Sequence, residues 1–274
     1  MTVEAHRAHR GLTVDGIDIH IDGAGSETLV MVHGWPDTHR LWDASVAALQ
    51  DRFRCVRFDL PGYDLSKPPR AMAYRDMTAL FARIVDAASP GQPVTLMLHD
   101  WGCAFGYEYA MQHPTRVARL IGVDIGDHNA GAYLHSLKPS AKFMAFAYQY
   151  WLAWAWRLGP RLPDLANWMT RWMARAIGNR NAPQSMAWQM NYPYAMNWMK
   201  ALGGFAGMAK IKPQCPTLFI YGKRKPFMFH SAKWLETVTA TPGGKTIGFE
   251  SGHWMMGHQP ALFNAALREW LVSA

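Results

Sequence analysis

The run Val94-Thr95-Leu96-Met97-Leu98 is apolar throughout and stops at His99-Asp100-Trp101-Gly102, after which the pattern from Gly102 to His113 is helical. A strand that passes this abruptly into a helix turns within a residue or two and thrusts one side chain out beyond the end of a sheet, the setting of a nucleophile elbow. The residue so presented is Asp100. A carboxylate can displace a leaving group from saturated carbon and become an ester itself, whereas the more familiar Ser attacks acyl carbon. Asp is also a good helix N-cap, so the turn alone admits a structural reading.

The surrounding pattern supplies the sheet. A hairpin-like opening runs from Leu12 to Ile21 with Asp15-Gly16 at its turn. Further strand signals lie at Thr28–Val32, Arg54–Phe58, Val94–Leu98, Arg119–Asp124, Thr217–Tyr221 and Lys245–Phe249. Helical patterns lie between them, notably Leu41–Gln50, Asp76–Ala88 and Ala232–Thr239, with an amphipathic one from Pro260 to Val272 at the end. Strands alternating with helices predict an α/β fold, a mostly parallel sheet covered on both faces. The alternation breaks between Asp127 and Lys210, which reads as an inserted helical cap over the C-terminal end of the sheet. The expected organisation is a core of residues 1–127 and 211–274 and a cap of 128–210. With 274 residues the chain can bury such a core.

Two further segments belong with Asp100. Met31-Val32-His33-Gly34-Trp35-Pro36 closes a buried-looking strand, and in this layout the Trp35 backbone N–H faces the elbow while the Trp101 N–H supplies a second donor. Pro36 is a candidate for a cis peptide. Two fixed donors would stabilise an oxyanion at Asp100, and losing one such donor typically costs about 10²–10³ in rate. Near the C-terminus, Glu250-Ser251-Gly252-His253-Trp254 puts a His on the loop after the last strand, placed to act as base.

These motifs, together with Asp59-Leu60-Pro61-Gly62-Tyr63-Asp64-Leu65-Ser66-Lys67-Pro68, resemble the α/β-hydrolase superfamily, in its epoxide hydrolase and haloalkane dehalogenase branch. The resemblance implies an eight-stranded, mostly parallel sheet, Asp100 as nucleophile, His253 as base, and the Trp35 and Trp101 N–H groups as the oxyanion hole. Many relatives carry the acid that orients the His just after the strand read here as Thr217–Tyr221, where this chain has Lys225. Part of the family places it after the strand that follows the elbow helix, which points to Asp124, with Asp127 as the fallback.

The resemblance leaves two reactions open. Opening an epoxide to a diol calls for O–H donors, for which Tyr148-Gln149 matches the first cap tyrosine. The second is missing from its usual place after Asn197-Trp198, with Tyr192 or Tyr194 as candidates. Releasing halide calls for N–H donors, and Trp101 sits at the usual halide position, although Trp35 is unlike the dehalogenase pattern. Epoxide opening is slightly favoured and dehalogenation is the alternative. Substrate contacts are expected from Trp35, Trp101, Tyr148, Gln149, Trp198 and Trp254. The chemistry needs only water, so no cofactor and no metal is implied.

Composition enters through the cap. It holds seven of the thirteen tryptophans, nine basic residues and a single acidic one, Asp164, so its charge of +9 − 1 = +8 equals that of the whole chain. The simpler reading packs the aromatics on the core and around an apolar pocket, with the basic residues solvated. The other is a peripheral contact with an anionic membrane, or an amphiphilic substrate, in a weakly active ligand- or membrane-binding relative. The run Phe143 to Trp156 is too short to span a bilayer. Nucleic acid is not an expected partner, because the basic residues form no compact run. Three cysteines without ligand spacing, and a charged start with no apolar leader, suggest reduced thiols and a cytoplasmic protein.

Overall fold

A computed structural model describes residues 11–273; the charged opening segment read above lies outside them. The strands are β1 (Leu12–Val14), β2 (Ile17–Asp22), β3 (Glu27–Val32), β4 (Phe53–Phe58), β5 (Val94–His99), β6 (Val117–Val123), β7 (Thr217–Gly222) and β8 (Lys245–Phe249). They form one eight-stranded sheet in the order β1-β2-β4-β3-β5-β6-β7-β8. Only the pairings of β1 with β2 and β2 with β4 are antiparallel. Asp15 and Gly16 turn the β1–β2 hairpin, both with positive φ.

The helices are α1 (Asp43–Leu49), α2 (Tyr74–Ala88), α3 (Trp101–Gln112), α4 (Gly131–Ser136), α5 (Pro139–Leu158), α6 (Pro163–Ala176), α7 (Tyr192–Met199), α8 (Ala232–Ala240), α9 (Met255–His258) and α10 (Pro260–Ser273). Alternate residues of the central strands enter two separate cores. Val30, Val32, Leu96, Leu98 and Phe219 pack with α2, α3 and α8, whereas Leu29, Met31, Met97, Leu218 and Ile220 pack with α1 and α10. Burial on both faces explains why these strands read as continuous apolar runs rather than alternating ones.

Between β6 and β7 the chain leaves the sheet for α4 to α7. The expectation that the aromatics of this interval pack on the core and around a pocket holds for Tyr192, Tyr194, Trp151 and Trp156 against the core and for Tyr148 and Trp198 at the cavity, but not for the outermost tryptophans. Of its seven tryptophans none is fully buried; Trp154, Trp168, Trp172 and Trp198 are exposed, and Trp151, Trp156 and Trp188 half-buried. The helices bury Leu152, Ala153, Ala155, Ala166, Met173 and Ala174 instead. Small and flexible residues let α5 and α6 approach closely, which leaves the large rings on the outer side.

Candidate active site

The elbow is as tight as its sequence implies. Asp100 has φ 52 and ψ −123, a left-handed conformation costly for any residue with a Cβ. The surroundings hold it there through close backbone approach. A Cβ on Gly34 would lie 2.4 Å from the Asp100 side chain and 2.5 Å from the Trp101 nitrogen, and one on Gly102 2.5 Å from the His33 carbonyl. Gly34→Ala must therefore displace the elbow, and a shift of about 1 Å costs about 10²-fold in rate. Steady-state turnover with an unchanged circular dichroism spectrum is the check.

The Trp35–Pro36 peptide is cis, and the Trp35 backbone N–H donates to Asp100 Oδ1 at 2.7 Å. Trp101 opens α3, so its N–H has no partner within the helix. His33 fixes the entry to this loop. The Leu60 N–H donates to its Nε2 at 3.0 Å, so Nδ1 carries the proton and donates to the Gly34 carbonyl at 2.9 Å.

With Oδ1 held, Asp100 Oδ2 faces His253 Nε2 at 3.5 Å. On the other side of the ring, Nδ1 lies 2.5 Å from Asp124 Oδ2. Asp124 follows the end of β6 with φ 69 and is fully buried. Burial opposes charging of His253, but hydrogen bonds and charge from Asp100 and Asp124 outweigh it and push the imidazole up to about 9. Burial would also raise the Asp100 carboxyl, yet the adjoining His253 holds it below its ordinary value. His99 packs its ring against His253 at 4.4 Å.

Lys225, which stands where an acid is first expected from the sequence, is instead the ion-pair partner of Asp124. Its ammonium, with a side chain only 6% exposed, pairs with Asp124 Oδ1, which also accepts from the Gly222 N–H at 3.0 Å. Burial would raise the Asp124 carboxyl, but Lys225 and His253 hold it well below the usual carboxylate range. Asp127, the fallback, is occupied elsewhere: it accepts from the Ser231 N–H at 2.8 Å and from the Ser231 hydroxyl at 2.6 Å, next to the start of α8.

Asp100 and Trp101 open onto a cavity of about 580 Å³ whose lining is mostly apolar, with Tyr148, Gln149, Tyr194 and Trp198 on its wall and with His128, Asn129, Lys142 and Asn197 as further polar groups. Burial and the Asp100 charge both push the Tyr194 hydroxyl well above its usual value, and burial does the same for Tyr148. The two rings meet edge to face at 6.1 Å. Gln149 Oε1 accepts from the Trp198 indole N–H at 2.8 Å. An indole only donates, so the amide is fixed with its Nε2 toward Tyr148, where it donates to the hydroxyl oxygen at 2.9 Å. The Tyr148 proton is thus free to point elsewhere.

Two expected substrate contacts are corrected. Trp254 donates its indole N–H to Asp37 Oδ2 at 2.8 Å and packs in the core on the α1 and α10 side of the sheet. The Trp35 ring is 1% exposed and donates to Asn191 Oδ1 at 2.7 Å, so only its backbone serves the site. Of the two candidates for a second tyrosine, Tyr194 lines the cavity. Tyr192 is sealed beside Tyr63. Asn191 and Asp37 carried no signal in the sequence. Asp37 accepts from Trp254 and from Asn181 (2.7 Å), tying the loop after Pro36 to the helical insertion, and burial lifts its carboxyl to about 6.

Comparison with known proteins places the fold. The chain is 39% identical over 101 residues to the probable oxidoreductase EphD of Mycobacterium tuberculosis, a match covering 35% of this chain and 17% of that protein. It is 34% identical over 111 residues to a haloalkane dehalogenase of Mycolicibacterium smegmatis, covering 38% and 35% of the two. The chain thus spans well under half the length of these relatives. The crystal structure of the Bacillus megaterium epoxide hydrolase superposes with a TM-score of 0.71 at 19% identity, over 96% of this chain and 99% of that one, which shows a common fold. The model of the alpha/beta hydrolase fold family matches residues 27–256, and this chain belongs to that family.

Proposed function

We propose that this chain is a hydrolase that opens an epoxide to a diol through a covalent ester on Asp100. The observation that carries the reading is the pair of tyrosine hydroxyls, those of half-buried Tyr148 and buried Tyr194, lining the same cavity as the Asp100 carboxylate. A departing alkoxide needs acidic O–H donors, and a general acid contributes typically about 10²–10⁴. Of the indole N–H groups that could hold a halide, that of Trp35 is taken up by Asn191, while the Trp101 ring meets the Tyr194 ring edge to face at 5.2 Å.

In the first step Asp100 Oδ2 attacks the less hindered epoxide carbon, the C–O bond breaks, and Tyr148 gives its proton to the oxygen. Esterification removes one of the two carboxylate charges that keep His253 protonated. His253 then releases its proton, which balances the one Tyr148 gave up, and becomes a neutral base oriented by Asp124. It takes a proton from water as that water attacks the Asp100 carbonyl carbon. The charge develops on Oδ1, against the Trp35 and Trp101 N–H groups. Collapse expels the diol, to which His253 returns the proton.

The reading is tested by the intact mass of His253→Ala after exposure to an aliphatic epoxide and, separately, to an alkyl bromide. Gain of the whole epoxide mass on Asp100 supports it. Gain of the alkyl group alone, with bromide released, replaces it by dehalogenation. In kinetics, Tyr148→Phe and Tyr194→Phe are each expected to lower epoxide turnover about 10²-fold or more. Undiminished turnover in the double variant excludes the tyrosine mechanism.

A further inference from the structure

The outer surface of the insertion between β6 and β7 is unlike the rest of the molecule. Of the fourteen large apolar side chains exposed among the described residues, twelve lie between 128 and 210. On α5, Phe143, Phe146, Tyr150 and Trp154 recur at helical spacing. The Phe146 ring stacks on Tyr150 at 5.1 Å, and Tyr150 meets Trp154 edge to face at 6.3 Å. On α6, Trp168 and Trp172 stack at 6.4 Å, and both contact Trp151 of α5, which joins the two stripes. Phe143 is 70% exposed and Trp168 54%, and rings clustered and exposed in this way, rather than scattered singly, mark an interaction surface.

Charge within the same insertion is equally one-sided. Nine basic residues stand between 128 and 210 against Asp164 alone. Among the described residues none of the nine forms an ion pair, whereas most ion pairs elsewhere place an Arg or Lys of the core on a carboxylate. Arg171 and Arg175 rise beside Trp168 and Trp172 around one surface depression, and Arg157 follows Trp154 on α5. Among the described residues no helix is long and apolar enough to cross a bilayer.

From this we propose that the α5–α6 face docks on an anionic phospholipid surface, its tryptophans entering the headgroup boundary and its unpaired basic residues lying over the lipid phosphates. Tryptophan suits that depth because its ring is apolar and its N–H wet. An anionic bilayer supplies the counter-charge the insertion lacks, and each basic side chain near such a surface strengthens binding about fivefold. A second protein copy fits worse, since it would bring the same positive face. Phe146, Trp198 and Lys142 are exposed and also line the cavity, so the docked face is continuous with its mouth. Docking itself does not depend on the chemistry inside.

The experiment is co-sedimentation of the full chain with vesicles of phosphatidylcholine, with and without a phosphatidylglycerol fraction, at low and high salt. Binding is expected only with the anionic vesicles and is expected to vanish in about 1 M salt, where screening acts within about 3 Å. Arg157→Glu with Arg175→Glu, and separately Trp168→Ala with Trp172→Ala, are each expected to weaken it at least tenfold, with unchanged melting curves showing intact folding. Absence of pelleting, equal pelleting with both vesicle types, or binding indifferent to both variants overturns the proposal. So does a concentration-dependent dimer in sedimentation velocity that the Trp168→Ala, Trp172→Ala protein fails to form, which would assign the face to a second copy.

Discussion

Asp124→Asn is expected to lower turnover about 10⁴-fold, the typical consequence of removing the acid that fixes a catalytic imidazole's tautomer. An amide neither balances the imidazolium charge nor holds the Nδ1 proton, so His253 loses both orientation and basicity. A second effect is peculiar to this chain. The same substitution strips Lys225 of its carboxylate while its side chain stays almost wholly buried. Removing one partner of a buried pair destabilises by about 3–5 kcal/mol, because the remaining charge is left desolvated. The melting temperature of Asp124→Asn is therefore expected to drop. Adding Lys225→Met should restore most of that loss and none of the activity. Thermal melts and turnover for the single and double variants separate the two roles. Near-normal turnover in Asp124→Asn would move the orienting role to another residue.

Asp100→Asn is expected to abolish turnover, since the proposed nucleophile is gone while the shape that accepts the Trp35 N–H is kept. It should also move His253. With Asp100 ionised the imidazole holds its proton up to about 9, above its ordinary 6.5. A raised folded-state value stabilises the fold fully below the ordinary pKa, and that contribution is lost as pH climbs through about 9. Asp100→Asn removes one of the two carboxylates, so the midpoint falls and the window of pH-dependent stability narrows from its upper side. In the proposed mechanism the ester intermediate carries the same change, so the acid limb of kcat should lie below 9, with kcat rising as pH passes upward through it. Imidazole proton shifts in a nuclear magnetic resonance titration report the midpoint directly. A value still near 9 in Asp100→Asn would mean Asp124 alone sets it, and would break the link between esterification and proton release.

Legibility in the sequence followed the range of the interactions. The strand-turn-helix at Asp100, the His33-Gly34-Trp35-Pro36 loop and the His253 loop are local patterns whose backbone demands, above all the glycines, are visible in a few residues. Trp254 misled because it adjoins His253. One residue along the loop its side chain turns to the other side of the sheet, where Asp37 offers an acceptor. The choice between Tyr192 and Tyr194 likewise depended on which face of α7 meets the cavity, which the short apolar run Tyr192–Met196 cannot declare because every residue in it is buried.

By itself the sequence determined the alternating order of strands and helices, the turn that presents Asp100, the candidates for base and acid, and the concentration of charge and tryptophan between 128 and 210. These follow from hydrophobic period, steric limits on φ and ψ, and composition, none of which needs a second segment of chain. The tertiary structure decided the rest. It joined Asp124 to His253 across 129 positions and gave Lys225 to Asp124 across 101. It also consumed the Trp35 indole on Asn191, brought Tyr194 into the cavity beside Tyr148, and turned the tryptophans of α6 outward. Each of these is a long-range choice of partner, and hydrogen bonds and buried charges are satisfied by whatever group folding brings within about 3 Å, wherever it lies along the chain.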